Sequence, residues 1–351
     1  MSAKYNAIAA KLKAMRASAL TEADFIALTE KKTVNEISSY LKATNAYGDV
    51  FSVIDEHNAH RGQMEQLMNK KLVLEFKKIY AFMDGQDADL IRFFFIRREI
   101  EFLKREIHYI YTREERSSRR WTDEEFKSNF FINGGKINRD LIRDAKSLED
   151  YAQACKGTMY EEPLKRAVDF KADFFMLGMI FDDYYYRNLW KAINSLPKSE
   201  AEGFKKIIGS SADMLNIMWI YRGKKYFNFA NETIFTYLLP VRYRLSGDLI
   251  RSLVTSSDEE VYMSAVRDTP YRELFDGIDD GLAVEENFEY MMGKIAKSVF
   301  RSTSLSDIAA YSKLKEWEIW RITTVIEGVR YGRAPELIRK HIRAAEERGV
   351  K

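Results

Sequence analysis

Ser147-Leu-Glu-Asp-Tyr-Ala-Gln-Ala-Cys-Lys-Gly-Thr-Met-Tyr160 is one of three related stretches in the chain. An earlier copy reads Thr33-Val-Asn-Glu-Ile-Ser-Ser-Tyr-Leu-Lys-Ala-Thr44 with Tyr47 after it, and a later one runs from Asp258 to Thr269 with Tyr271 after it. Apolar residues recur at helical spacing in all three: Val34, Ile37 and Leu41; Leu148, Tyr151 and Cys155; Tyr262, Ala265 and Val266. Each start offers a hydroxyl with an acid three residues on, as Thr33 with Glu36, Ser147 with Asp150 and Ser257 with Glu260, the pattern that satisfies free backbone N–H groups at a helix N-terminus. Each copy therefore predicts an amphipathic helix closed by Thr and Tyr.

The intervals decide what kind of repeat this is. Thr44 and Thr158 are 114 residues apart, and Thr158 and Thr269 are 111 apart. Solenoid repeats have periods of roughly 20–50 residues, so these units are domain-sized. The expectation is an all-α chain of three similar helical-bundle modules, 1–118, 119–227 and 228–351, packed about a pseudo-threefold axis.

Composition agrees with a globular helical protein. Charged residues make up 31% of 351 residues and only five are proline. A net charge of +3 gives no support for binding nucleic acid or an anionic membrane. The one cysteine, Cys155, excludes an internal disulfide and aligns with Leu41 and Val266, which predicts a buried, inert thiol. The N-terminus lacks the apolar core of a signal peptide, and no apolar stretch reaches the ~20 residues of a membrane span. A cytoplasmic, soluble chain is expected.

Further helices are expected over residues 4–18, from Thr21 as a cap, over Gly62–Met83 and Asp87–Glu115 parted by Asp84-Gly85, over Lys171–Ile193, and over Ser210–Tyr226. Trp121-Thr-Asp-Glu-Glu-Phe126 echoes Leu20-Thr-Glu-Ala-Asp-Phe25 and opens the second module after the charged joint Arg116–Arg120. The last module carries the segment Lys315–Gly332 and a basic helix begun near Pro335.

Several stretches carry hints of chemistry. Phe181-Asp-Asp-Tyr-Tyr-Tyr186 has the start of an aspartate-rich Mg²⁺ site, but Tyr186 stands where a third carboxylate is needed, and Asp279-Asp280 also lacks one; two adjacent acids read better as a solvated helix face. His57 and His60 could share a helix face, without the matched ligands of a tetrahedral zinc site. Arg222-Gly-Lys-Lys225 follows a helix instead of preceding one, so it reads as a glycine-bearing helix C-terminus and not as a phosphate loop. Phe93–Phe95 and Tyr184–Tyr186 read as core rather than stacking platforms. No catalytic residue, metal site or cofactor site is expected.

Taken together, Ala10-Lys-Leu-Lys-Ala-Met-Arg16 with Leu20-Thr21, the threefold Thr-to-Tyr helices, Phe93-Phe-Phe-Ile-Arg-Arg-Glu99, Leu215-Asn-Ile-Met-Trp219 and Ile326-Glu-Gly-Val-Arg-Tyr-Gly332 with Pro335 resemble the C subunit of V-type and archaeal-type rotary ATPases, the family that includes the eukaryotic d subunit. One departure is Ile319-Trp-Arg-Ile-Thr-Thr, where the family pattern has an Asn. The resemblance implies a funnel-shaped, non-catalytic socket at the cytoplasmic face of the membrane, monomeric outside the complex and without membrane insertion. Its partners would be the central shaft subunits and the membrane ring that carries protons or sodium ions. An all-helical Mg²⁺-dependent prenyl-diphosphate enzyme and a helical scaffold with other partners stand as alternatives. Three helix ends are the candidate partner surface: Tyr111 and Arg113; Arg222, Lys224 and Lys225; Arg330 and Arg333. Cations there also suit the negative end of a helix dipole, worth about 0.3–1 kcal/mol each when exposed.

Overall fold

A computed structural model describes residues 3–55, 59–112, 122–277, 282–301 and 304–343. Helices and turns make up the described residues, with no strand among them. The chain forms two compact units, one of Met1–Met83, Lys198–Met214 and Ser256–Lys351, the other of Asp84–Pro197 and Leu215–Thr255.

The three repeated helices form as Val34–Ala43, Leu148–Ala154 and Glu259–Arg267. Their caps follow the expected chemistry in two cases. Thr33 accepts from the Glu36 N–H, and Ser147 accepts from the Asp150 N–H while the Asp150 carboxylate takes the Ser147 N–H. In the third copy the cap is Asp258, which accepts from the Val261 N–H; Ser257 lies one residue outside and donates to the Asp258 carboxylate. The helix starts one residue later than expected because a carboxylate is as good an N-cap as a hydroxyl and here takes the position. Ile37, Leu41, Tyr151, Cys155, Tyr262 and Val266 are all buried. Each such side chain contributes about 1.5–3 kcal/mol of apolar burial, which turns a short helix of weak intrinsic stability into a fixed element. Thr44, Thr158 and Thr269 each fold back to donate to the carbonyl three residues earlier.

In the first unit the helix Ser306–Arg330 is the centre. Helices Ala3–Ala17, Glu22–Thr29, Val34–Ala43, Arg61–Tyr80, Lys198–Phe204, Leu282–Val299 and Pro335–Ile342 all pack on it. It is buried nearly all round, from Ser306 to Val329. Its closest neighbour, Leu282–Val299, approaches at Gly293, where a Cβ would stand 2.7 Å from the Trp317 ring. Only glycine permits that approach.

In the second unit the helices Gly85–Thr112 and Phe174–Asn194 pack together, with Glu161–Asp169 against both Leu148–Ala154 and Phe174–Asn194. Asp123–Asn129 rests on Gly85–Thr112 and repeats the capping box of Glu22–Thr29: Thr122 with Glu125 matches Thr21 with Asp24. The unit boundary falls inside the helix Ser210–Lys225, which follows a single π turn, Lys205–Gly209. The glycine of Arg222-Gly-Lys-Lys225 is not at the helix C-terminus as expected. Gly223 lies inside the last turn, buried, with Ile234 and Phe229 packed where a side chain would begin; the left-handed residue beyond this end is Asn228.

Half-buried Glu289 faces Lys313 and Glu316 across the packed helices of the first unit, and burial raises its carboxyl to about 7. An acid whose folded pKa is raised adds stability while protonated and loses it as pH climbs from its ordinary 4.5 through about 7. Stability should therefore fall by up to about 3 kcal/mol across that window. Denaturant midpoints measured from pH 5 to pH 8 should show the decline in the wild type and its near-disappearance in Glu289→Gln.

Candidate functional site

The three repeated tyrosines do the same thing in three places. Tyr47, Tyr160 and Tyr271, each 2% exposed or less, direct their hydroxyls to buried carboxylates on long helices. Tyr47 donates to Glu318 at 2.7 Å, Tyr160 donates to Glu99, and Tyr271 donates to Asp213 at 2.9 Å. The order is cyclic in sequence: the second tyrosine takes an acid from the first repeat, the third from the second, and the first from the third. The acids were not singled out by the sequence reading. Their signal is an acid inside an apolar stripe, as at Glu99 between Phe95, Ile96, Phe102 and Leu103.

The three carboxylates are satisfied differently. Glu318 holds the Lys315 ammonium at 2.6 Å and accepts the Leu20 N–H at 3.0 Å, and that ammonium also lies 4.5 Å above the Tyr47 ring. Glu99 is met by neutral donors: Tyr160, the N–H groups of Ile132 and Asn133, and the Asn133 amide at 2.8 Å. Burial raises its carboxyl, and these hydrogen bonds work against the rise. Burial and the facing carboxylate push Tyr47 and Tyr160 well above the usual phenol range, so each stays a donor. Beside the first joint, Tyr311 donates to buried Glu75 at 2.7 Å, and Lys71 bonds Asp49 at 2.7 Å.

Arg321 lies in the turn of helix Ser306–Arg330 that follows Glu318. It stands three residues after Glu318 as Asn216 stands three after Asp213. Asn216 pins Leu239 by accepting its N–H at 2.7 Å and donating to its carbonyl at 3.3 Å. Arg321 forks onto the Glu22 carboxylate at 2.8 and 2.6 Å. A different contact thus occupies the same place.

The candidate cationic ends lie in both units. Lys224 donates to the Val254 carbonyl at 2.6 Å, half-buried, and so closes the C-terminal end of helix Gly247–Thr255. Lys225 is exposed, 5.2 Å above the Tyr221 ring, and half-buried Arg222 has its guanidinium pKa lowered by burial. Arg330 lies 3.6 Å from Glu327 and over Tyr331, and Arg333 is exposed near His341. Tyr111 donates to the Ala172 carbonyl at 2.7 Å; Arg113 falls outside the described residues. Next to Lys225 is a surface the sequence reading passed over. Phe175, Phe227, Phe229 and Tyr237 pack ring to ring, with centroids 5.2–6.2 Å apart, while Phe175 and Phe227 stay 41% and 49% exposed. Its signal was the aromatic run Tyr226-Phe-Asn-Phe229 directly after a helix.

The stretch Phe181–Tyr186 is tied into ion pairs and packing. Asp182 is buried and bonded to Arg97 at 2.6 Å, not on a solvated face as expected, because Arg97 on helix Gly85–Thr112 supplies a counter-ion. Asp183 holds Arg187 at 2.7 Å. Tyr185 and Tyr186 are core. His57 and Asp279-Asp280 lie outside the described residues, and His60 precedes helix Arg61–Tyr80 without capping it. Among the described residues no group of three metal-ligating side chains converges. Cys155 is fully buried, and desolvation pushes its thiol up to about 12.

Comparison with known proteins gives this architecture a family. The family model described as ATP synthase (C/AC39) subunit matches residues 8–341. The chain belongs to that family. Relatives include proteins named as the C subunit of an A-type ATP synthase from Methanosphaera stadtmanae, 21% identical over 93% of this chain and 84% of the relative, and from Thermococcus kodakarensis, 22% identical over 95% and 88%. The Methanobrevibacter smithii protein of the same name is 24% identical over 92% and 83%. The family assignment thus covers all three repeats of this rotary ATPase subunit.

Two outcomes follow from the joints. Tyr160→Phe should lower stability in urea titration by about 2 kcal/mol, since it removes one hydrogen bond from a carboxylate that has no cation among its described partners. Tyr47→Phe should cost less, about 1 kcal/mol, because Lys315 still neutralises Glu318. Native protein should also leave Cys155 unmodified by a thiol-specific disulfide reagent, and denatured protein should react at one equivalent.

Proposed function

We propose that this chain is a non-catalytic central-stalk rotor subunit of an A- or V-type ATPase or ATP synthase, a socket joining the central shaft to the ion-carrying membrane ring. The family match over residues 8–341 carries this reading, together with relatives named as the C subunit of A-type ATP synthases. The work of such a part is mechanical. Torque needs stiff joints, and the three buried tyrosine–carboxylate bonds supply fixed cross-links between distant segments. Their cyclic order supports three modules, 1–118, 119–227 and 228–351, each gripping the one before.

A socket also needs adhesive surfaces. The exposed aromatic cluster at Phe175 and Phe227 beside Lys225 supports one, as large exposed apolar patches mark contact sites. We place the exposed cations Lys225, Arg330 and Arg333, with half-buried Arg222, on partner-facing helix ends, where they would set orientation and association rate. We place the subunit peripherally at the cytoplasmic face of the membrane; among the described residues no helix is long and apolar enough to cross one. The burial of Asp182 against Arg97 speaks against the prenyl-diphosphate enzyme, whose Mg²⁺ would need that carboxylate.

Reconstitution tests the coupling role. In a complex assembled without this subunit, ATP hydrolysis by the soluble head should persist while ATP-driven ion movement is lost; pumping retained without it would overturn the proposal. Phe175→Ser with Phe227→Ser should weaken assembly about tenfold, with helicity and melting temperature nearly unchanged. Reversal of Lys225, Arg330 and Arg333 to Glu should slow assembly most at low salt, measured by surface-immobilised binding kinetics.

A further inference from the structure

The buried stripe of helix Ala3–Ala17 runs through Ile8 and Leu12, 4% and 1% exposed, and its next turn is Arg16. Here helices Ala3–Ala17, Glu22–Thr29, Leu282–Val299 and Ser306–Arg330 of the first unit bring three cations into one region. Arg321, 2% exposed, lies 3.6 Å over the Phe25 ring and 5.0 Å from the Trp317 ring. Lys297, exposed over part of its length, holds its ammonium 4.6 Å over the same indole. Arg16 lies 4.6 Å over the Phe300 ring, near enough to repel Lys297. Burial lowers the Lys297 ammonium first; Glu22 works against this, and Arg321 and Arg16 add to it.

The counter-charge is short. Among the described residues Glu22 is the one carboxylate bonded to Arg321, and Glu318, a turn away, is already matched by Lys315. The bonding deficit has a single sign as well. The Arg321 Nε, Arg16 Nη1 and Trp317 indole Nε1 are buried with no hydrogen-bond partner among the described residues. All three are N–H donors. A buried donor without an acceptor costs about 1–3 kcal/mol, and more when it belongs to a charged group, so three in one neighbourhood call for an acceptor. A metal ion would be repelled, and a neutral apolar group would leave every donor unmet. A planar or tetrahedral oxyanion offers a negative charge and several acceptor lone pairs to the Arg321 Nε, the Arg16 Nη1 and the indole N–H, and charge-assisted hydrogen bonds of this kind are the strong ones.

We propose that Arg16, Lys297, Arg321 and the Trp317 indole form a binding site for a small oxyanion, a carboxylate or phosphate group. Such a group could be free in solution or carried on another protein's side chain, and the chemistry is the same. The site stands on this unit alone and does not depend on the rotary function.

The test uses the full-length protein. Sodium phosphate and sodium acetate are titrated separately by calorimetry, at ionic strength matched with chloride, and melting curves are recorded in parallel. Saturable binding and a raised Tm beyond the chloride control are expected for at least one of them. A response to phosphate alone assigns a phosphate group and one to acetate alone a carboxylate; either supports the site. Lys297→Gln, at an exposed position, should keep the wild-type circular dichroism and weaken binding about tenfold, and Arg16→Gln should do the same. No saturable response above chloride, or equal affinity in the Lys297→Gln and Arg16→Gln proteins, would overturn the proposal.

Discussion

A tyrosine hydroxyl donating to a carboxylate out of water is the interaction on which the rest of this protein depends. Taking a carboxylate from solvent is costly unless every lone pair finds a donor. The three bonds join residues 271, 61 and 58 positions apart in the chain, so they tie segments that no local preference would bring together. Their geometry is demanding, since a misplaced helix would leave a buried charge unmet. That penalty selects one packing among many of similar apolar burial.

The same logic explains why the interior carries so much charge. Glu22 with Arg321, Glu318 with Lys315 and Asp182 with Arg97 are all partly or wholly withdrawn from water. Such pairs add modestly to stability, because desolvation offsets their attraction. Their effect is on register and stiffness. Helices held by hydrogen-bonded charges cannot slide as an all-aliphatic interface can. Residues that look catalytic in isolation, Asp182 and Cys155, are spent on packing.

At two places on the surface the character changes. The ring cluster of Phe175, Phe227, Phe229 and Tyr237 is apolar, exposed and edged by a lysine, while the region around Arg16, Lys297 and Arg321 is short of negative charge. Both are unlike the neutral, evenly mixed surface that the chain's net charge suggests. Net charge is a sum and conceals local imbalance.

The sequence by itself determined the helices, their caps and the family. Thr21, Thr33, Thr122 and Ser147 cap as their spacing with an acid three residues on dictates, and Ile37, Leu41, Tyr151 and Val266 bury as their periodicity dictates. These are local properties, set within one or two helical turns. Even there Ser257 and Gly223 were misplaced, because Asp258 competes for the cap and Ile234, eleven residues on, fills the space at Gly223. Only the tertiary structure decided which acid each tyrosine meets, that Arg321 reaches Glu22, and that Asp182 faces Arg97 and not solvent. Those choices depend on groups 58 to 299 residues apart, whose meeting is fixed by packing of whole helices and leaves no trace in local spacing.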